Sequence, residues 1–205
     1  MRRFLLVVTL LSSSICFGQS QTIHGDNSDW WSLLRSRSHE QPAKPGSGEL
    51  DLGNFVVAGV SLHDSPQSGA IERLGATQKI ARGDGSSARR QLCYEAEGKP
   101  PSFLIFESAE VSEGFYLFSA SKNWKGRKHC TLARPTNWKT NTGLRLGLSP
   151  AQVQTILGKA DEVRDNRWLY LRQFKENKGD VTLYIEVRFA SSKLNYLAAS
   201  RADTN

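Results

Sequence analysis

The 205-residue chain is poor in sulfur, with three cysteines and one methionine. It has no CxxC pair, and His129 beside Cys130 supplies one adjacent ligand pair at most, so a metal site or reactive thiol is disfavoured. Only one apolar run approaches spanning length, at the N-terminus, which excludes a polytopic membrane protein. There is no G-x-S-x-G and no H-E-x-x-H, and the four histidines fall in separate loops or in the N-terminal arm. Aromatic residues are not scarce. Nine Phe, five Trp and five Tyr exclude a wholly disordered chain. The formal net charge of +7 points to acidic partners but does not specify a fold.

The N-terminus reads as a secretory leader. Arg2 and Arg3 precede the apolar run Phe4–Leu11, and Cys16-Phe17-Gly18 supplies small residues at −3 and −1 of a cleavage site. Residues 1–18 are therefore expected to be removed, leaving a periplasmic or secreted chain with no transmembrane segment. Lipid anchoring at Cys16 is disfavoured, because Ile15 stands where a small residue normally precedes a lipidated cysteine. Removing the leader takes away two cations and one cysteine, so the mature charge is (27 − 2) − 20 = +5. Cys93 and Cys130 remain, and an exported chain with two cysteines is expected to pair them.

Residues 19–48 read as an arm and linker. Asp26–Asp29 can cap a short helix carrying Trp30 and Trp31, a candidate docking pair whose alternative role is packing on the chain's own domain. Gln41–Gly48 reads as linker.

From Gly59 onward the chain looks duplicated at an offset near 80 residues. Gly59–Pro66 leads into a helix ending before Gly75, and Gly143–Pro150 leads into a helix ending before Gly158. Cys93-Tyr94 falls opposite Leu169-Tyr170, and Tyr116–Ser121 opposite Tyr196–Ser200. In the second copy Ser149, Pro150 and Gln152 spell a capping box, and Val153, Ile156 and Leu157 form one apolar face. Val181–Phe189 alternates strictly, which predicts a strand with Val181, Leu183, Ile185, Val187 and Phe189 dry and Thr182, Tyr184, Glu186 and Arg188 wet. The expected class is α+β: two tandem units, each a short helix packed on a small antiparallel sheet, over residues 49–121 and 141–200, joined by a junction at 122–140.

At Gly147–Gly158, Trp168–Tyr170 and Val181–Phe189 the sequence resembles the SmpA/OmlA (BamE-like) outer-membrane assembly lipoprotein domain. A tandem pair of such units is similar to the β-lactamase inhibitory protein architecture. The resemblance implies an exported, non-catalytic protein that binds other proteins through an exposed sheet face or loops.

The charge pattern supplies the candidate site. No Asp or Glu occurs from Gly114 to Ala160, a run holding eight Lys and Arg. Lys122, Lys125, Arg127, Lys128, Arg134 and Lys139 form the candidate partner- or anion-binding set, with Trp124 and Trp138 interleaved. The alternative is that these cations face acidic strands of the first unit. His63-Asp64 reads as a solvated turn, and Arg82-Gly83-Asp84 as part of a tight turn. No catalytic residue, metal or cofactor is expected. The leading function is a protein-interaction or cell-envelope binding module. The alternative is a polyanion-binding envelope protein, for example toward lipopolysaccharide, and an enzyme ranks third. An exported chain is not expected to bind nucleic acid.

Overall fold

The computed structural model describes residues 55–63, 65–82, 88–110, 112–134, 138–176 and 179–204. Residues 1–18, read as a leader, and Cys16, Trp30 and Trp31 lie outside the described residues. Among the described residues no helix is long and apolar enough to cross a membrane.

A small hairpin of β1 (Val56–Val57) and β2 (Val60–Ser61) leads into α1 (Pro66–Leu74). Four strands follow: β3 (Lys79–Arg82), β4 (Arg89–Ala96), β5 (Ser102–Ala109) and β6 (Ser112–Ser119). The chain then forms a 3-10 helix (Lys125–His129) and the two-residue β7 (Thr131–Leu132). α2 (Pro150–Leu157) precedes β8 (Glu162–Arg164), β9 (Arg167–Glu176), β10 (Gly179–Ala190) and β11 (Lys193–Thr204).

Local chemistry explains the helix ends. The Ser149 hydroxyl accepts from the Gln152 amide, while the Gln152 side chain accepts from the Ser149 amide, which closes the box read in the sequence. α1 has no such cap: Ser65 is left-handed, with φ of 44°, and its side chain makes no capping bond. Proline opens both helices, where its missing N–H leaves no intrahelical bond unmade.

The expected α+β class is corrected by the sheet. The described residues form a mainly antiparallel β protein with two short α-helices, not two helix-on-sheet units in tandem. One nine-stranded sheet runs β3-β4-β5-β6-β11-β10-β9-β8, with β7 paired to β4 off that path. The seam is β6 against β11, from Tyr196↔Phe118 through Leu197↔Leu117 to Ala202↔Ser112. A strand ending a small separate sheet would leave a row of unpaired N–H and C=O groups. Pairing the last strand of each half satisfies both rows and removes two edges.

The core is continuous across that seam. Leu92, Leu104, Phe106, Phe115 and Leu117 from the first half share one buried cluster with Leu183, Ile185, Val187, Leu197 and Ala199 from the second. Ala70 and Leu74 of α1, and Val153 and Leu157 of α2, belong to the same cluster, so both helices cover the same face of the sheet. Gly114 lies in the seam, where an added Cβ would sit 2.8 Å from the Ala199 carbonyl oxygen. A glycine inside a strand marks such a close backbone approach.

Candidate functional site

The basic junction is a strap over the second face of the sheet, the one turned away from the helices. Directly opposed residues of antiparallel neighbours point to the same side. Phe103 opposes both Glu95 and Phe118 and therefore shares their face, while Leu104 and Leu117 point to the core. The strap leaves β6, and Trp124 packs edge-on against Phe118 and Phe103, with ring centroids 5.1 and 4.6 Å apart. The 3-10 helix follows. β7 then pairs in parallel with β4 at Tyr94 and Glu95, extending the sheet edge where β3 stops. Beyond β7, Ala133 and Trp138 enter the core on the other side.

Three kinds of contact fix the strap. The aromatic triad of Phe103, Phe118 and Trp124 is the first. The second is an ion pair: Arg127 Nε donates to Glu95 Oε2 at 2.8 Å. That carboxylate raises the Arg127 pKa further by hydrogen bonding and by its charge. Arg127 Nη1 also donates to the Lys122 carbonyl at 3.5 Å, which ties the start of the strap to its helix. The third is the Cys93–Cys130 disulfide, with Cα atoms 4.4 Å apart. Around it, the Thr131 hydroxyl donates to the Thr77 hydroxyl, which donates to the Cys93 carbonyl. His129 Nδ1 lies 3.4 Å from Gln78 Oε1.

The six candidate cations divide by this geometry. Arg127 is paired with Glu95 while its side chain stays 40% exposed, so for this residue the reading that junction cations face acidic strands applies. Lys122, Lys125, Lys128, Arg134 and Lys139 are exposed, and none of them forms an ion pair among the described residues. Lys125 and Lys128 are three apart on a 3-10 helix, where residues at i and i+3 eclipse.

Gly126 is a site residue that the sequence reading passed over. A Cβ there would overlap the Trp124 indole. The signal was present as a lone glycine within Lys125–His129, two residues after an aromatic. Gly126→Ala should expel the indole and cost about 2 kcal/mol, as overpacking does. Denaturant unfolding followed by tryptophan emission checks this, and an unchanged midpoint would refute it.

The remainder of the second face carries a polar network that residue types alone did not reveal. Glu107 accepts from Arg89 at 2.9 Å, Gln91 at 2.5 Å and the Tyr116 hydroxyl at 2.9 Å. Glu186, 1% exposed, is held by Arg167 at 2.9 Å and by Arg188 Nε. The Arg188 guanidinium lies 4.6 Å from the Tyr196 ring centroid. Burial is the main cause raising the Tyr116 and Tyr196 pKa values, and the nearby carboxylates add to it. The side of β10 read as wet is therefore buried at Thr182, Tyr184 and Glu186. Charged side chains become buried here because lateral neighbours neutralise them.

Glu186→Ala should destabilise the protein by about 3 kcal/mol, the lower end for breaking a buried ion pair, because the Arg188 side chain is 41% exposed and can recover solvent. Thermal unfolding of E186A checks this; a variant as stable as the parent would show the pair to be dispensable.

No family model, curated protein or solved structure matches the chain.

Proposed function

We propose that the chain is an exported, non-catalytic interaction module of the cell envelope that engages its partner through the basic strap. The observation that carries this reading is the division of the junction cations. One arginine, an aromatic triad and a disulfide fasten the strap, and Lys122, Lys125 and Lys128 project from it without ion-pair partners among the described residues, while Arg134 and Lys139 lie beyond β7 beside Ala133 and Trp138. A surface fixed before encounter loses less conformational entropy on binding. Export rests on the leader-like residues 1–18 and accords with the paired cysteines. Kinship with the SmpA/OmlA domain is likewise a proposal, and its support is the Gly147–Gly158 motif. An enzymatic role is disfavoured because Glu107 and Glu186 are both engaged in ion pairs.

Affinity capture from the native envelope fraction tests the reading. The protein should retain a partner that K122Q/K125Q/K128Q retains poorly, with circular dichroism unchanged. Equal capture by both would remove the strap from the interface. The polyanion alternative is favoured by one specific observation, the acid-free run that surrounds the exposed lysines.

A further inference from the structure

Resting on that polyanion alternative, we propose that Lys122, Lys125 and Lys128 form a ladder that binds closely spaced phosphate groups. Lys125 and Lys128 lie one turn apart on the 3-10 helix, about 6 Å along its axis at about 2 Å per residue. Lys122 is three residues before Lys125, and its carbonyl accepts from Arg127, so the third rung is tied to the same short segment. All three are exposed and without an ion pair among the described residues. A single multivalent anion can therefore span neighbouring rungs.

The choice of cation narrows the ligand. The guanidinium of Arg127, whose planar fork suits a carboxylate in fixed geometry, is bonded to Glu95. The exposed groups of the Lys122–Lys128 segment are ammonium ions: compact, strongly hydrated point charges on flexible stems. Such groups suit phosphates that offer charge at short intervals without one fixed orientation. The mount keeps the three charges together despite their mutual repulsion, because Trp124, Arg127 and Cys130 anchor the segment on its other side. The sequence from Gly114 to Ala160 holds no Asp or Glu, and Glu95, the carboxylate bonded within this segment, is paired with Arg127.

Phosphate of this kind occurs on a soluble chain or on a lipid surface, so the purified protein is tested against both. One arm titrates inorganic polyphosphate. The other measures co-sedimentation with vesicles of phosphatidylcholine containing phosphatidylglycerol, against phosphatidylcholine alone. Binding in either arm should fall as salt rises. K122Q/K125Q/K128Q should weaken it by roughly fivefold per lysine, on the order of a hundredfold in total. K79Q/K159Q/K193Q removes the same charge from exposed lysines outside the strap and should leave binding within about twofold of the parent.

Binding in one arm alone supports the ladder and identifies the source of the phosphate. Equal losses in the two triple variants would overturn it in favour of diffuse net charge. Absence of binding in both arms would also overturn it. If envelope capture still depended on the three lysines in that case, the interaction module would stand with an acidic protein as its partner. If it did not, both readings would fall together.

Discussion

Breaking the Cys93–Cys130 bond should lower the stability of this protein by about 4 kcal/mol, from the loop-closure entropy of the 37-residue separation. For a domain of this size the melting temperature should fall by roughly 10 °C. The bond closes the strap onto β4, so its loss releases the unfolded chain from a long loop and frees one end of the 3-10 helix in the folded state. Trp124 should respond first, because its packing on Phe103 and Phe118 depends on the strap being held close. C93A/C130A, which retains every charge, is the appropriate variant. Melting within about 2 °C of the parent would show that β7 pairing, the Arg127–Glu95 contact and the aromatic triad suffice without the bond. Thiol counting on the folded protein should find no free thiol at either position.

The second large effect is expected in alkali. All five tyrosines of the chain have raised pKa values, with desolvation the first cause in each. Tyr94 and Tyr170 are pushed up to about 12. Tyr184 is pushed higher by its burial, as are Tyr116 and Tyr196. The folded state thus holds these protons more tightly than the unfolded state, where a tyrosine titrates near about 10. Their contribution is intact below about pH 10 and is lost as pH rises from there toward the folded values. Each tyrosine that titrates only on unfolding adds about 1.4 kcal/mol per pH unit to the slope, so the two most deeply buried, Tyr116 and Tyr196, add about 3 kcal/mol per unit, and solvent screening makes the share of the other three smaller. A domain of ordinary stability should unfold within that window. Tyrosinate absorbance should appear in one step with the loss of sheet signal. A tyrosinate phase near about pH 10 with the sheet intact would show that some of these hydroxyls reach solvent.

The parts of the molecule that were legible beforehand are those governed by neighbours in sequence. Ser149, Pro150 and Gln152 dictate a helix start because the capping bonds join residues three apart. The alternation from Val181 to Phe189 marks a strand because side chains on an extended backbone must alternate, and of the dry set Leu183, Ile185, Val187 and Phe189 join the core cluster while Val181 is buried outside it. The cysteine pairing was legible by a different route, since the expected loss of a leader carrying Cys16 would leave two cysteines, which the structure pairs.

Other features were not legible because they join distant residues. The hydrophobic pattern of β10 assigned Glu186 to solvent, since a lone strand gives no view of Arg167 on β9; Arg188, two residues on along β10, shares that face and was read as wet with it. The pattern of each half predicts a helix and strands but does not say where the last strand pairs. Leu117 and Leu197 would be equally well patterned in two small sheets or in one large one. Gly114 was the available hint of a close approach at the seam.

By itself the sequence determined where the helices and most strands lie, which two cysteines pair, and that positive charge is concentrated in one acid-free segment. Tertiary structure decided that the two halves share one sheet and one core, because pairing β6 with β11 satisfies backbone groups that would otherwise be left at two open edges. It also separated Arg127, paired with Glu95, from the lysines that project beside it. Composition counts these cations alike, and only the position of Glu95 on β4 distinguishes the one that fastens the strap from those free to meet a partner.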